Sequence, residues 1–353
     1  MNSPQQSLIS SRQQIDSRQQ IVVHTLSLAH PVPVPVERGQ SAAVAARPTR
    51  KASCGVVLGE RDEALLCDLL AYGAMLPEHI HALYFPGRTR RRMNQRLSQL
   101  LNAGLVVRRP LPLGLGAGLP AAASYGLPWV YHLGGAAAQR VAARLGWNVV
   151  DVRRLVRQGS PTALAHTLEV VRLRQQAAQA VGTPDERGTC SIPTDLEFLP
   201  ERLIRHAYQV RQPGGEWREE VLKADALIKF TWGGGPWRHY FVECDLGHTA
   251  ASEWKTKGEI YARYQRGGLF QKRYGALHFL TLVCTTGPAR RTHLQQFLAR
   301  HLRPEDAGAF GLATFTDIAA LGLLAPVWHV PGRDEARGLD AWMPGACDGG
   351  TRL

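Results

Sequence analysis

A few side chains in the second half of the sequence have the types and spacing for metal-assisted chemistry on a phosphodiester. Glu243 and Asp245 lie in Phe241-Val242-Glu243-Cys244-Asp245, two apart, so an extended chain points both the same way. Asp225, in Lys223-Ala224-Asp225, precedes them across the turn Gly233-Gly234-Gly235-Pro236, and a hairpin there would set it beside them. An unpaired carboxylate inside a strand is costly and calls for a partner or an ion. Converging carboxylates make an oxygen site for Mg²⁺ or Mn²⁺, which can activate water and stabilise a leaving oxygen. Lys257 and Lys255, on the following helix, offer ammonium groups for developing negative charge. Glu201 is a further candidate acid, and His248 a further base or ligand. The competing reading is that these are exposed strand carboxylates paired with Arg and Lys.

A second cluster points to a polyanion. Residues 88–109 hold Arg88, Arg90, Arg91, Arg92, Arg96, Arg108 and Arg109 and no acid. The first four crowd the start of an expected helix, where the dipole favours acids. Asn94 and Gln95 follow directly. In a helix-turn-helix that first turn meets base edges in the major groove, with Arg suited to guanine and Asn or Gln to adenine. Arg108 and Arg109 fall where a wing strand would touch the phosphate backbone. A solvated basic helix is the competing reading.

The bulk numbers agree with this division. The chain has 353 residues, 42 basic and 29 acidic side chains, and a net charge of +13. Residues 1–182 carry 21 basic and 9 acidic groups, residues 183–353 carry 21 and 20. One basic half beside one balanced half fits a nucleic-acid-binding domain joined to a domain with another task. No run reaches the roughly 20 apolar residues of a membrane span. Six scattered cysteines without a Cys-x-x-Cys pair argue against a disulfide framework and against a zinc site, and fit a reducing cytoplasm.

The elements that must position these residues can be read from periodicity and breakers. Residues 1–56 read as a disordered basic arm, rich in Gln and Ser and then in Pro and Val. Helices are expected at 61–72, 77–84 and 89–103, strands at 105–109 and 129–133, and helices at 136–145 and 161–180. Three helices, a strand, a Gly/Pro/Ala-rich loop and a strand is the order of a winged helix-turn-helix, assigned here to 57–182. Gly182–Thr189 reads as a linker. Beyond it come a helix at 196–208, strands at 221–230 and 239–244, a helix at 249–264, a strand at 276–285, a helix at 289–302 and a short strand at 312–315. This second domain is assigned to 183–331, with 332–353 as a flexible tail. The fold class is α/β (α+β).

The order Asp…Glu-x-Asp…Lys…Tyr after a winged helix resembles the replication-relaxation family of plasmid and mobile-element proteins. The likeness rests on Arg61-Asp62, Asn102-Ala103-Gly104-Leu105-Val106, Ala165-His166-Thr167-Leu168, Pro200-Glu201, Lys223-Ala224-Asp225, the Glu243 segment, Gly247, Thr249, Lys257, Tyr261, Leu280–Thr285, Arg290 and Leu294. The resemblance implies a restriction-endonuclease-like mixed sheet flanked by helices, of the PD-(D/E)xK kind, with similarity to some plasmid-mobilisation relaxases. It implies Asp225 and Glu243 as metal ligands, with Asp245 and Lys257 as further site residues. Ala224 stands where a proline is expected, and Asp245 stands where the motif lysine would be. Tyr261, Tyr264 and Tyr274 are candidate nucleophiles or core residues. Trp232, Trp237 and Trp254 are candidate stacking platforms or core residues.

Two functions follow as expectations. One is an enzyme that recognises an origin and nicks DNA with Mg²⁺ or Mn²⁺ in replication or conjugative mobilisation. The other is a non-catalytic DNA-binding regulator with a degenerate nuclease fold. The expected partners are double-stranded DNA, single-stranded DNA after nicking, other mobilisation or replication proteins and a second copy of the chain, with no membrane.

Overall fold

In the computed structural model of the chain, the described residues are 56–112, 129–156, 161–182, 192–204, 206–211, 215–340 and 342. The expected arm up to 55, the loop 113–128, the linker 183–191 and the last residues of the expected tail, 343–353, lie outside them.

The first unit is built on α1 (Glu60–Tyr72), α2 (Pro77–Tyr84) and α3 (Arg90–Asn102). Asp62 reaches back to the Gly59 N–H to close the start of α1, and Pro77 opens α2, where its missing N–H costs nothing. Leu65, Leu66, Leu69 and Leu70 of α1 and Met93, Leu97 and Leu100 of α3 are buried, each set at helical spacing. Strands β1 (Val106–Pro110) and β2 (Trp129–Leu133) pair antiparallel, and Met75 adds a backbone bridge to Tyr131. Gly134 is required where β2 meets the α3–β1 turn: a Cβ there would lie 2.1 Å from the Gly104 carbonyl oxygen. Helices α4 (Ala138–Leu145), α5 (Val149–Leu155) and α6 (Pro161–Gln179) follow.

The second unit begins with β3 (Asp195–Pro200), a single 3₁₀ turn at Glu201–Leu203, β4 (His206–Arg211) and β5 (Trp217–Leu222). The helix expected at 196–208 is therefore a strand, a turn and a second strand. Phe198, buried at 2% exposure, pairs opposite Ile228 in the sheet, so tertiary pairing overrides the helical spacing of the leucines. Next come β6 (Ala226–Thr231), β7 (Arg238–Asp245), α7 (Ala251–Arg266), α8 (Leu269–Tyr274), β8 (Leu280–Thr285), α9 (Pro288–His301), α10 (Pro304–Ala307), β9 (Phe310–Thr314), α11 (Phe315–Leu321), β10 (Trp328–His329) and β11 (Ala336–Arg337). The strand expected over 221–230 is broken at Lys223–Asp225, so Asp225 sits at a bend before β6 instead of mid-strand.

Helices thus precede a seven-stranded mixed sheet ordered β11-β10-β9-β8-β7-β6-β3, while β4 and β5 form a separate hairpin. β7, β8 and β9 are parallel neighbours, and β8 and β9 are buried along their whole length, as expected for a strand covered on both faces. Val242, Cys244 and Cys284 share one core with α6 and the first unit. Phe241 and Val283, on the other face, pack with α7, α8 and α9. Part of the expected tail is packed as well: Leu339 and Trp342 are buried, and a Cβ on Gly311 would meet the Trp342 ring at 2.2 Å. Among the described residues no helix is long and apolar enough to cross a membrane.

Candidate active site and nucleic-acid interface

β7 presents Glu243 and Asp245 on the same face, as their spacing requires, and both are closed. Lys257 Nζ donates to Glu243 Oε2 at 2.6 Å, and the Tyr261 hydroxyl donates to Oε1 at 2.6 Å. Lys257 and Tyr261 lie one turn apart on α7, so one helix face grips both oxygens. Burial, together with the Asp225 charge, pushes the Glu243 carboxyl up to about 7 against the pull of Lys257 and Tyr261. Lys257 therefore reaches Glu243 from α7, fourteen positions along the chain.

Asp245 is held differently. Arg290 donates Nε at 2.6 Å and Nη2 at 3.2 Å, Thr285 Oγ1 adds a bond at 3.1 Å and the Gly247 N–H another at 3.3 Å. Burial raises this carboxyl, but the Arg290 hydrogen bonds and charge outweigh it and hold it below the ordinary aspartate value. Arg290 also bonds the Thr249 carbonyl at 2.6 Å. Through Arg290, Asp245 is tied to the Thr249 carbonyl and anchors the loop between β7 and α7.

Asp225 turns its carboxylate toward α6, while Glu243 turns toward α7. Asp225 Oδ2 accepts from the Cys244 N–H at 2.6 Å and lies 3.0 Å from His166 Nε2. Burial disfavours the His166 cation, but the Asp225 hydrogen bond and the charges of Asp225, Glu201 and Glu243 raise its pKa above the ordinary value. Asp225 and His166 line a cleft of about 490 Å³ between the units, with Arg109, His132, Glu201 and Arg202 also on its walls. Glu201 sits in the 3₁₀ turn, not on a helix.

The remaining candidates do not join this centre. His248 and Lys255 are exposed, with no hydrogen-bond or ion-pair partner among the described residues. Tyr264 and Tyr274 bond the two ring nitrogens of His206 at 3.0 Å each, and Trp254 is buried, all packing roles. Trp232 stacks under Arg238, and Trp237 is partly exposed. His166, Cys244 and Arg290 are the site neighbours to which residue types and spacing gave no role.

The arginine cluster splits in two. Arg88, Arg90, Arg91, Arg92, Asn94 and Gln95 are exposed on α3 and the turn before it. None of these four arginines has an acidic partner among the described residues. Arg96 is different: it clasps Asp62 through Nε at 3.1 Å and Nη2 at 2.6 Å and also bonds the Val57 carbonyl. Arg108 and Arg109 are exposed on β1, with Arg108 stacked 4.6 Å over the Trp129 ring.

A family model described as replication-relaxation matches residues 69–280, from within α1 to the first residue of β8. No curated protein matches the chain, and no solved structure does. The matched span takes in the free arginines, the cleft and the three carboxylates, and it covers more than half of the sequence: the chain belongs to the replication-relaxation family, which points to a role in plasmid or mobile-element replication or mobilisation.

Proposed function

We propose that the protein binds duplex DNA of a plasmid or integrative element, with α3 in the major groove and the β1–β2 hairpin, read as the wing, on the backbone. The observation that carries this is the exposed, acid-free arginine face. Four guanidiniums near a helix N-terminus oppose the dipole, and an external polyanion supplies the missing counter-charge. The test is binding of the full chain to origin fragments of its host element across a salt series. The Arg90→Ala/Arg91→Ala double variant should bind roughly tenfold or more weakly, with a salt slope lower by about 2 if both reach phosphate. A wild-type affinity indifferent to salt, or a double variant that binds like wild type, overturns it.

Nicking is a second reading, favoured by Lys257 reaching Glu243 within a nuclease-like sheet. The residues do not fit the Mg²⁺ or Mn²⁺ first expected, however. Such ions take several open oxygens, whereas both Glu243 oxygens are engaged by α7 and the Asp225 carboxylate faces α6. Nicking of a supercoiled plasmid carrying the origin separates the readings: cleavage lost in Glu243→Gln supports the enzyme, and intact binding without cleavage supports the regulator.

A further inference from the structure

We propose that His166, Asp225 and Cys244 bind one borderline divalent cation of the zinc or cobalt class, with an open coordination position facing the cleft. A ligand atom from each of the three residues lies within 4.8 Å of the other two. His166 Nε2 and Asp225 Oδ2 are 3.0 Å apart, close to the roughly 3.4 Å that two bonds of about 2.1 Å subtend at a tetrahedral ion. The three residues come from separate elements, α6, the bend before β6 and β7, and Cys244 is fixed in the parallel core of the sheet.

The donor set selects the ion. Imidazole, carboxylate and thiolate suit zinc-class cations, while Mg²⁺ prefers oxygen alone. Three protein ligands with the fourth place open is the pattern of a reactive site, not of a closed structural one. Asp225 Oδ1 has no hydrogen-bond partner among the described residues, and Asp225 and His166 both line the cleft, so water or a phosphate oxygen has access. Arg109 and Arg202 on the same walls favour an anion there. A bound ion of this class would supply an acidified water or polarise a phosphoryl oxygen.

The inference stands apart from DNA binding, because its readout is metal occupancy. The full chain, stripped with chelator, is titrated with Co²⁺ and Zn²⁺. Expected are one ion per chain, tetrahedral cobalt bands in the visible and a thiolate-to-cobalt band in the near ultraviolet. Cys244→Ser should abolish the near-ultraviolet band and Cys284→Ala, the neighbouring thiol on β8, should keep it. His166→Ala, at a partly exposed position that tolerates truncation if the buried Cys244→Ser variant does not fold, should weaken cobalt binding roughly tenfold or more. Absence of uptake, a cobalt spectrum without the thiolate band, uptake unchanged by His166→Ala, or equal competition by Mg²⁺ would each overturn it, leaving His166–Asp225 a plain ion pair. The Arg90→Ala/Arg91→Ala variant should keep the site intact.

Discussion

Arginine plays two opposite parts in this protein, and the contrast shows between α3 and the sheet unit. On α3 and the turn before it, Arg88, Arg90, Arg91 and Arg92 stand in solvent with no acidic partner among the described residues. In the sheet unit, Arg290 clasps Asp245 and Arg263 clasps Glu220, both acids deeply covered. The first unit contains the second kind as well: Arg174, buried, binds Asp68 and lies over the Tyr72 ring. Charge of one sign therefore carries two messages. A guanidinium closed on a buried carboxylate is part of the interior, and one left open at a helix start is an offer to an outside anion.

The sharpest way to break this contrast is Arg290→Ala. It leaves Asp245, with a side chain 0% exposed, without its main counter-charge, and losing one partner of a buried pair costs about 3–5 kcal/mol. The denaturant midpoint should fall accordingly at an unchanged m-value, while the fraction still folded binds DNA as wild type does. A midpoint shift no larger than that of Arg91→Ala would erase the distinction.

Arg96 tests the boundary between the classes, since it belongs by sequence to the basic cluster and by contacts to the interior. Arg96→Ala removes a bidentate hold on Asp62, whose side chain is 4% exposed, and hydrogen bonds to charged groups are worth about 1.5–3 kcal/mol. Stability should drop by that order, with little change in the salt slope of DNA binding. Arg92→Ala should do the reverse. Equal loss of DNA affinity in both would return Arg96 to the recognition face.

Much of the first unit was legible because its helices bury leucines at regular spacing and its breakers, Gly73, Pro77 and Gly104, fall where elements change. The second unit was legible in its central strands, whose long apolar runs fit few alternatives. It failed at 196–208, where Leu196, Leu199 and Leu203 imitate a helix face and only pairing with β6 shows the strand. The carboxylates on β7 were readable as a pattern; their partners were not. Alternation correctly joined Glu243 to Asp245, but the bend at Lys223–Asp225 turned Asp225 toward α6. His166 and Arg290 arrive from distant elements, and no local pattern specifies such contacts. His166 is visible in the sequence only as part of the segment Ala165-His166-Thr167-Leu168 that carries the family likeness, and no spacing marks it as a partner of Asp225.

Acid sensitivity gives a further probe, since buried histidines lie in both units, His79 in the first and His206 in the second. His206 is pressed down to about 3 by burial, with Arg273 adding to the effect. Its neutral form belongs to the fold, so its contribution is complete above the ordinary histidine pKa and is lost as pH falls from there toward the folded value. Between about pH 7.5 and about pH 5.5 this one group should cost about 1.4 kcal/mol. Denaturation of wild type and His206→Phe at both pH values checks it. The variant should have lower stability overall, from lost bonds to Tyr264 and Tyr274, but a shallower pH dependence.

The smallest effect is the most direct probe of how the open arginines are held. Thr89 is the N-cap of α3, its Oγ1 accepting from the Arg92 N–H. It fixes the first turn at the point where Arg90, Arg91 and Arg92 repel one another and oppose the dipole. Thr89→Ala should cost about 1 kcal/mol of stability through the lost cap. Its effect on DNA binding should exceed that of a remote variant of equal cost, because a frayed turn must be reordered on the duplex before its arginines can act. Thr314→Ala, the equivalent cap of α11, supplies the control: similar destabilisation with DNA affinity unchanged. If both caps lower affinity alike, the α3 turn is not the surface that meets DNA.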